Sequence, residues 1–143
     1  MDSLIELLHT GGCSCVISNG YETRAFTKRG VADLYELIEN NPEFLKGSSV
    51  ADKVVGKAAA ALMIIGGVTR IYADLISEPA IALIKNTKTE LKYRKVVSFI
   101  KNRDKSDSCP LKKICNQTDS PQELLLLIGE FVEKTRKFRL TLK

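Results

Sequence analysis

The residues best placed to do chemistry stand in one stretch, from Val50-Ala51-Asp52-Lys53-Val54-Val55-Gly56-Lys57 to Gly66-Gly67. Asp52, Lys53 and Lys57 are its charged members, and beyond Lys57 the run Ala58 to Ile65 is wholly apolar. This pattern predicts one buried central helix, capped by Asp52 and ended by Gly66-Gly67. Helix starts collect unpaired N–H groups and a partial positive charge, so they suit anions. Lys53 and Lys57, four apart, would project from one face of that helix. In the plainer alternative Asp52 only caps and Lys53 is a solvated first-turn residue. Lys57 lies among apolar neighbours, which leaves three states for it: reaching to the rim, pairing with an acid such as Asp74, or sitting with a lowered pKa. The Gly56-Lys57 pair is not a nucleotide-binding loop, because G-x-x-x-x-G-K-[ST] needs Gly at 51 and Ser or Thr at 58, and both are Ala.

Four cysteines, Cys13, Cys15, Cys109 and Cys115, form the other group that could act together. Cys13 and Cys15 lie two apart in an expected strand, so both would face one side and could ligate jointly. The spacing of Cys109 and Cys115 matches no common zinc pattern. Small buried hydrophobes are the expectation, with no metal. Met1 to Thr10 lacks the basic start and cleavage pattern of a signal peptide, and no apolar run is long enough to span a membrane. Without export, disulfides are not expected, and the protein reads as cytoplasmic.

The net charge of +5 is unevenly spread. Residues 85–113 hold ten Lys or Arg against Glu90, Asp104 and Asp107, and residues 134–143 add five bases and no acid. Such asymmetry can mark a nucleic-acid surface, or an edge strand whose lysines guard it against pairing. No nucleic-acid motif accompanies it.

These residues need elements to hold them. Ser3 to His9 reads as a helix with Leu4, Leu7 and Leu8 on one stripe, stopped by Gly11-Gly12. Asn19-Gly20 between Cys13–Ser18 and Tyr21–Phe26 signals a hairpin with both turn positions at positive φ. Gly30 to Asn40 is helical by spacing, with Pro42 after its end. Val68 to Asp74 reads as a strand, and Ser77-Glu78-Pro79 opens a helix with Ser77 as cap. Leu91 to Ile100 reads as a long strand, Asn102 to Ser108 as a loop, and Cys109-Pro110 as a short helical turn. Pro121 to Phe138 reads as a helix with Leu124, Leu127, Ile128, Phe131 and Val132 inward, and Phe138 to Leu142 as a last strand. A hairpin followed by alternating helices and strands predicts one domain over 1–143, a three-layer α/β/α fold with a mixed sheet.

That order resembles the cytidine-deaminase fold. More closely, Val50 to Gly67, Tyr72-Ala73-Asp74, Ser77-Glu78-Pro79, Lys101-Asn102-Arg103 and Cys109-Pro110 resemble a bacterial family, domain of unknown function 1893, over nearly the whole chain. Zinc deaminases carry H-x-E or C-x-E at the start of the central helix and P-C-x-x-C at the start of the next. By element order Val55-Gly56-Lys57 and Pro79-Ala80-Ile81-Ala82-Leu83 stand there. Val55, Ala80 and Leu83 cannot bind zinc, and Lys57 replaces the proton-shuttling glutamate. His9, the only histidine, lies in the first helix and cannot restore the cluster. The resemblance implies a domain without zinc deaminase activity. With two helices beginning side by side at Asp52 and Ser77, it implies a nucleotide-like or other anionic small molecule near Asp52, Lys53, Lys57, Asp74 and Glu78. An enzyme of another reaction type using Lys57 and Asp52 is one alternative. A nucleic-acid or assembly module using residues 85–113 is another. A homo-oligomer is implied by the resemblance only.

Overall fold

The structure is a computed structural model that describes residues 2–27, 31–98 and 118–141. Its elements in chain order are α1 (Asp2–Thr10), β1 (Cys15–Ser18), β2 (Thr23–Phe26), α2 (Ala32–Asn40), α3 (Pro42–Leu45) and β3 (Ser49–Val55). Then come α4 (Lys57–Gly66), β4 (Arg70–Ser77), α5 (Glu78–Lys85), β5 (Glu90–Val97) and α6 (Pro121–Thr141). The five strands form one sheet in the order β2-β1-β3-β4-β5. β3, β4 and β5 run parallel, while β1 is antiparallel to both β2 and β3, so the sheet is mixed.

Helices cover both faces. On one face α2, α4, α5 and α6 enclose the larger core with Ile17, Val50, Val55, Ile71, Ala73 and Ile76 of the strands. On the other, α1 lies over β1 and β3, and Leu4 and Leu8 pack on Val16 and Ala51. Full burial of a leucine contributes roughly 1.5–3 kcal/mol, enough for two such residues to hold a short helix down. The expected α/β class with a mixed sheet between helical layers is therefore observed.

The central element departs from expectation. Val50 to Gly67 is not one helix: Ser49–Val55 is a strand, and the helix begins only at Lys57, with extended Gly56 as its N-cap. Asp52 is therefore not a helix cap, and Lys53 and Lys57 do not share a helix face. The physical reason lies in the strand's position. β3 has a partner on each side, and both sheet faces are covered, so Val50, Ala51 and Val55 are all buried and the strand lacks simple alternation. It reads as a continuation of the alanine-rich helix that follows. That helix ends as expected, on Gly67 at φ +82, whose N–H reaches the carbonyls of Ile64 and Met63.

Other elements match or shift by a few residues. The hairpin is present, but Ser18 pairs with Thr23, leaving a four-residue loop rather than a two-residue turn. Asn19 Oδ1 accepts the N–H groups of Tyr21 (2.9 Å) and Glu22 (2.7 Å), and this side-chain-made turn accounts for the longer loop. Pro42 opens the short helix α3 instead of merely following α2. Phe138–Thr141 continues α6 and is not a strand, so helical propagation wins over the local alternation. The expected loop at Asn102–Ser108 and turn at Cys109-Pro110 lie outside the described residues.

Candidate functional site

The carboxyl ends of β3 and β4 are neighbours in the parallel part of the sheet, and each passes directly into a helix. Open α/β sheets characteristically bind ligands in the crevice beyond such strand ends. The two junctions are finished differently. Ser77 Oγ accepts the Ala80 N–H at 3.3 Å and Pro79 fits the first turn, so α5 is capped by its own side chain. Gly56 has no side chain with which to cap α4. Lys57 and Glu78 occupy matching positions as the first residues of the two helices, and α4 and α5 pack together.

The Lys57 side chain is mostly buried and ion-paired. Its Nζ donates to Asp119 Oδ1 at 2.7 Å, and its side chain is 12% exposed against 91% for Asp119. Pairing with an acid is thus the state it adopts, but the acid is Asp119, not Asp74. Asp119 stands immediately before the α6 cap residue Ser120, whose carbonyl accepts the Leu124 N–H at 2.9 Å.

Asp52 lies in the middle of β3, opposite Cys15 on β1 and Ala73 on β4. Burial pushes its carboxyl up to about 7, against the stabilising N–H groups of Val54 and Lys53 and the Cys15 thiol. The charge of Asp74 on the next strand raises it further. The Cys15 thiol is pushed far up in turn, first by burial and then by Asp52. Lys53 is exposed, and its N–H extends the β1–β3 pairing to the Ser14 carbonyl at 3.0 Å. The cysteine pair does not share a face. Cys13 precedes β1 and is buried in the α1-side cluster, whereas Cys15 packs against the larger core. Among the described residues no three His, Cys, Asp or Glu are grouped to hold a metal ion.

Asp74 takes part in a third arrangement, on the α1 side. Its Oδ1 accepts the Tyr72 hydroxyl at 2.6 Å, and His9 Nε2 of α1 lies 2.7 and 3.0 Å from its two oxygens. Partial burial would raise the Asp74 carboxyl, yet the bonds from Tyr72 and His9, aided by Arg94, hold it below the usual range. The same bond pushes the Tyr72 hydroxyl up. An ionised Asp74 can only accept, so His9 Nε2 is the donor in this contact.

The five residues marked in the sequence therefore fall into separate places. Lys57 and Glu78 begin adjacent helices, Asp52 is a strand residue paired with a thiol, Lys53 is on the surface, and Asp74 is held by His9 and Tyr72. His9, Cys15 and Asp119 are the partners that sequence reasoning missed. Asp119-Ser120-Pro121 carries a helix-start signal, but nothing local tied it to Lys57, 62 residues away. The described part of the basic segment, residues 85–98, includes β5, an edge strand on which Lys92, Arg94 and Lys95 are exposed. No helix among the described residues is long and apolar enough to cross a membrane.

Fold and junctions together define an α/β domain with a mixed five-stranded sheet whose parallel strands feed the starts of two packed helices. The chain belongs to the DUF1893 family, a domain of unknown function whose family model matches residues 3–132. Among solved structures it is similar to a DUF1893 family protein from Thermotoga maritima, with 26% identity and a TM-score of 0.81. That match covers 90% of this chain and 87% of the other. No curated protein matches the chain.

Proposed function

We propose that this protein is a deaminase-like domain without zinc chemistry that binds a nucleotide-like or other small anionic molecule where α4 and α5 begin. The observation that carries the reading is Lys57, a largely buried cation on the first residue of a helix with no side-chain cap, beyond the carboxyl end of a parallel strand. Uncapped N–H groups and the ammonium of a mostly covered lysine side chain both favour a negative group there. The deaminase-like plan is supported by the strand order and by the place of Val55-Gly56-Lys57 at the β3–α4 junction and of Pro79-Ala80 in the first turn of α5.

Zinc does not fit this junction. The positions that would ligate it hold Val55, Ala80 and Leu83, all buried in the apolar core, and none offers a donor atom. Asp52 and Lys57 engage different partners, which favours binding over a reaction shared between them.

Native mass spectrometry of freshly purified protein tests the reading. The expected result is a retained nucleotide-sized mass, or one gained on adding a nucleoside monophosphate, and lost in Lys57→Ala. A bare polypeptide mass under both conditions contradicts it. Exposed Lys92, Arg94 and Lys95 favour a second reading, nucleic-acid binding along β5, which would show as affinity falling steeply with salt.

A further inference from the structure

We infer that the Asp119 carboxylate is an internal occupant of the Lys57 seat, exchanged for an external carboxylate or phosphate monoester when one binds. This rests on the reading of Lys57 given above and names how that seat is regulated.

The carrying observation is the unequal burial of the two partners, 12% exposure for the lysine and 91% for the aspartate, across a 2.7 Å contact. A lysine side chain only 12% exposed has little solvent left to stand in for a lost counter-charge, so leaving it unpaired is unfavourable. A carboxylate almost wholly in water loses little by swinging away, because solvent replaces the contact. The lysine therefore holds an anion in both states, and only the identity of that anion changes. An incoming carboxylate replaces like with like, and a phosphate brings up to about one further negative charge, which the uncapped N–H groups of α4 favour.

The chain around Asp119 fits an exchangeable group. Ser120 Oγ accepts the Glu123 N–H at 3.4 Å, the Ser120 N–H reaches Thr118 Oγ1 at 3.1 Å, and Leu124 of the first turn is fully buried. Local bonds and the buried first turn thus set the backbone on either side of Asp119. Its side chain can turn about its own bond without disturbing α6. A simple latch between α4 and α6 behaves differently: its removal lowers stability and does nothing for anion affinity.

Inorganic phosphate is titrated calorimetrically into the full chain, Asp119→Asn and Lys57→Ala, with thermal unfolding recorded for each. Lys57→Gln, which keeps part of the stem, takes the place of the alanine variant if that one does not fold. The expected result is phosphate binding several-fold tighter in Asp119→Asn, up to about fivefold for loss of an exposed competitor, and binding lost on replacing Lys57. Equal or weaker binding in Asp119→Asn, with loss still seen on replacing Lys57, overturns the exchange and leaves the Lys57 seat standing. Binding absent from all variants, or indifferent to Lys57, overturns both. A parallel titration with acetate separates the chemistries. Tightening with both ligands marks a general anion seat, and tightening with phosphate alone marks a phosphate seat. No tightening with either overturns the exchange.

Discussion

Cys15 on β1 lies directly across from Asp52 on β3, and burial pushes the Asp52 carboxyl up to about 7 and the Cys15 thiol up beside it. The pair puts two weak acids where ionising either one is unfavourable.

A first prediction concerns Asp52 and pH. Its folded pKa is raised, so the folded state holds this proton more tightly than the unfolded chain does. The resulting stability is fully present below the unfolded carboxyl value of about 4 and declines as pH rises towards about 7. The limiting slope is about 1.4 kcal/mol per pH unit. Urea unfolding of the wild type and Asp52→Asn at pH 5 and pH 8 checks this. The advantage of the wild type over the variant shrinks as pH rises; a constant or growing advantage would refute the raised pKa.

The thiol offers a second test. With the Cys15 thiol pKa raised and Cys13 buried away from solvent, neither is open to alkylation in the folded protein. Iodoacetamide at pH 8, followed by peptide mapping, should label both only after unfolding. Rapid labelling of Cys15 in the native protein would show that its thiol is not held as described.

Asp74 behaves in the opposite sense to Asp52. Its pKa is lowered, so its contribution is present above the unfolded value and is lost as pH falls through the folded one. The groups are partly exposed, so His9→Ala should cost only about 0.5–1 kcal/mol at pH 6. Asp74→Asn should cost more, because the bonds to both Tyr72 and His9 weaken at once. Both deficits should shrink as pH falls below the unfolded carboxyl value of about 4; deficits unchanged at the acid end would indicate lost packing instead.

Gly67 carries a backbone prediction. At φ +82 it ends α4 in a conformation that L side chains rarely adopt, and a Cβ there would meet Lys46 Cα at 3.4 Å. Gly67→Ala should destabilise by about 1 kcal/mol, read as a lower urea midpoint with an unchanged slope. An unchanged midpoint would show that the strain is relieved elsewhere.

Much of this architecture can be read from residue order, and the reasons for the failures are specific. The Ser77 cap, the Gly67 stop and the Asn19 turn use chemistry that is local in sequence, so they show in a single chain. β3 does not, because a central strand covered on both faces carries no alternation, and Asp52-Lys53 ahead of an alanine run imitates a helix start. The site partners were hidden for another reason. His9 and Asp74 are 65 residues apart, and only the docking of α1 on the sheet brings them together. Lys57 stood out by its apolar surroundings, but its partner depended on where α6 enters the fold.

The seat at Lys57 is tested most directly by titrating adenosine monophosphate into ¹⁵N-labelled protein and following the backbone amides. The account predicts shifts centred on Lys57, Ala58 and Glu78, lost in Lys57→Ala. Shifts confined to Lys92, Arg94 and Lys95 of β5, or no shifts at all, would contradict it.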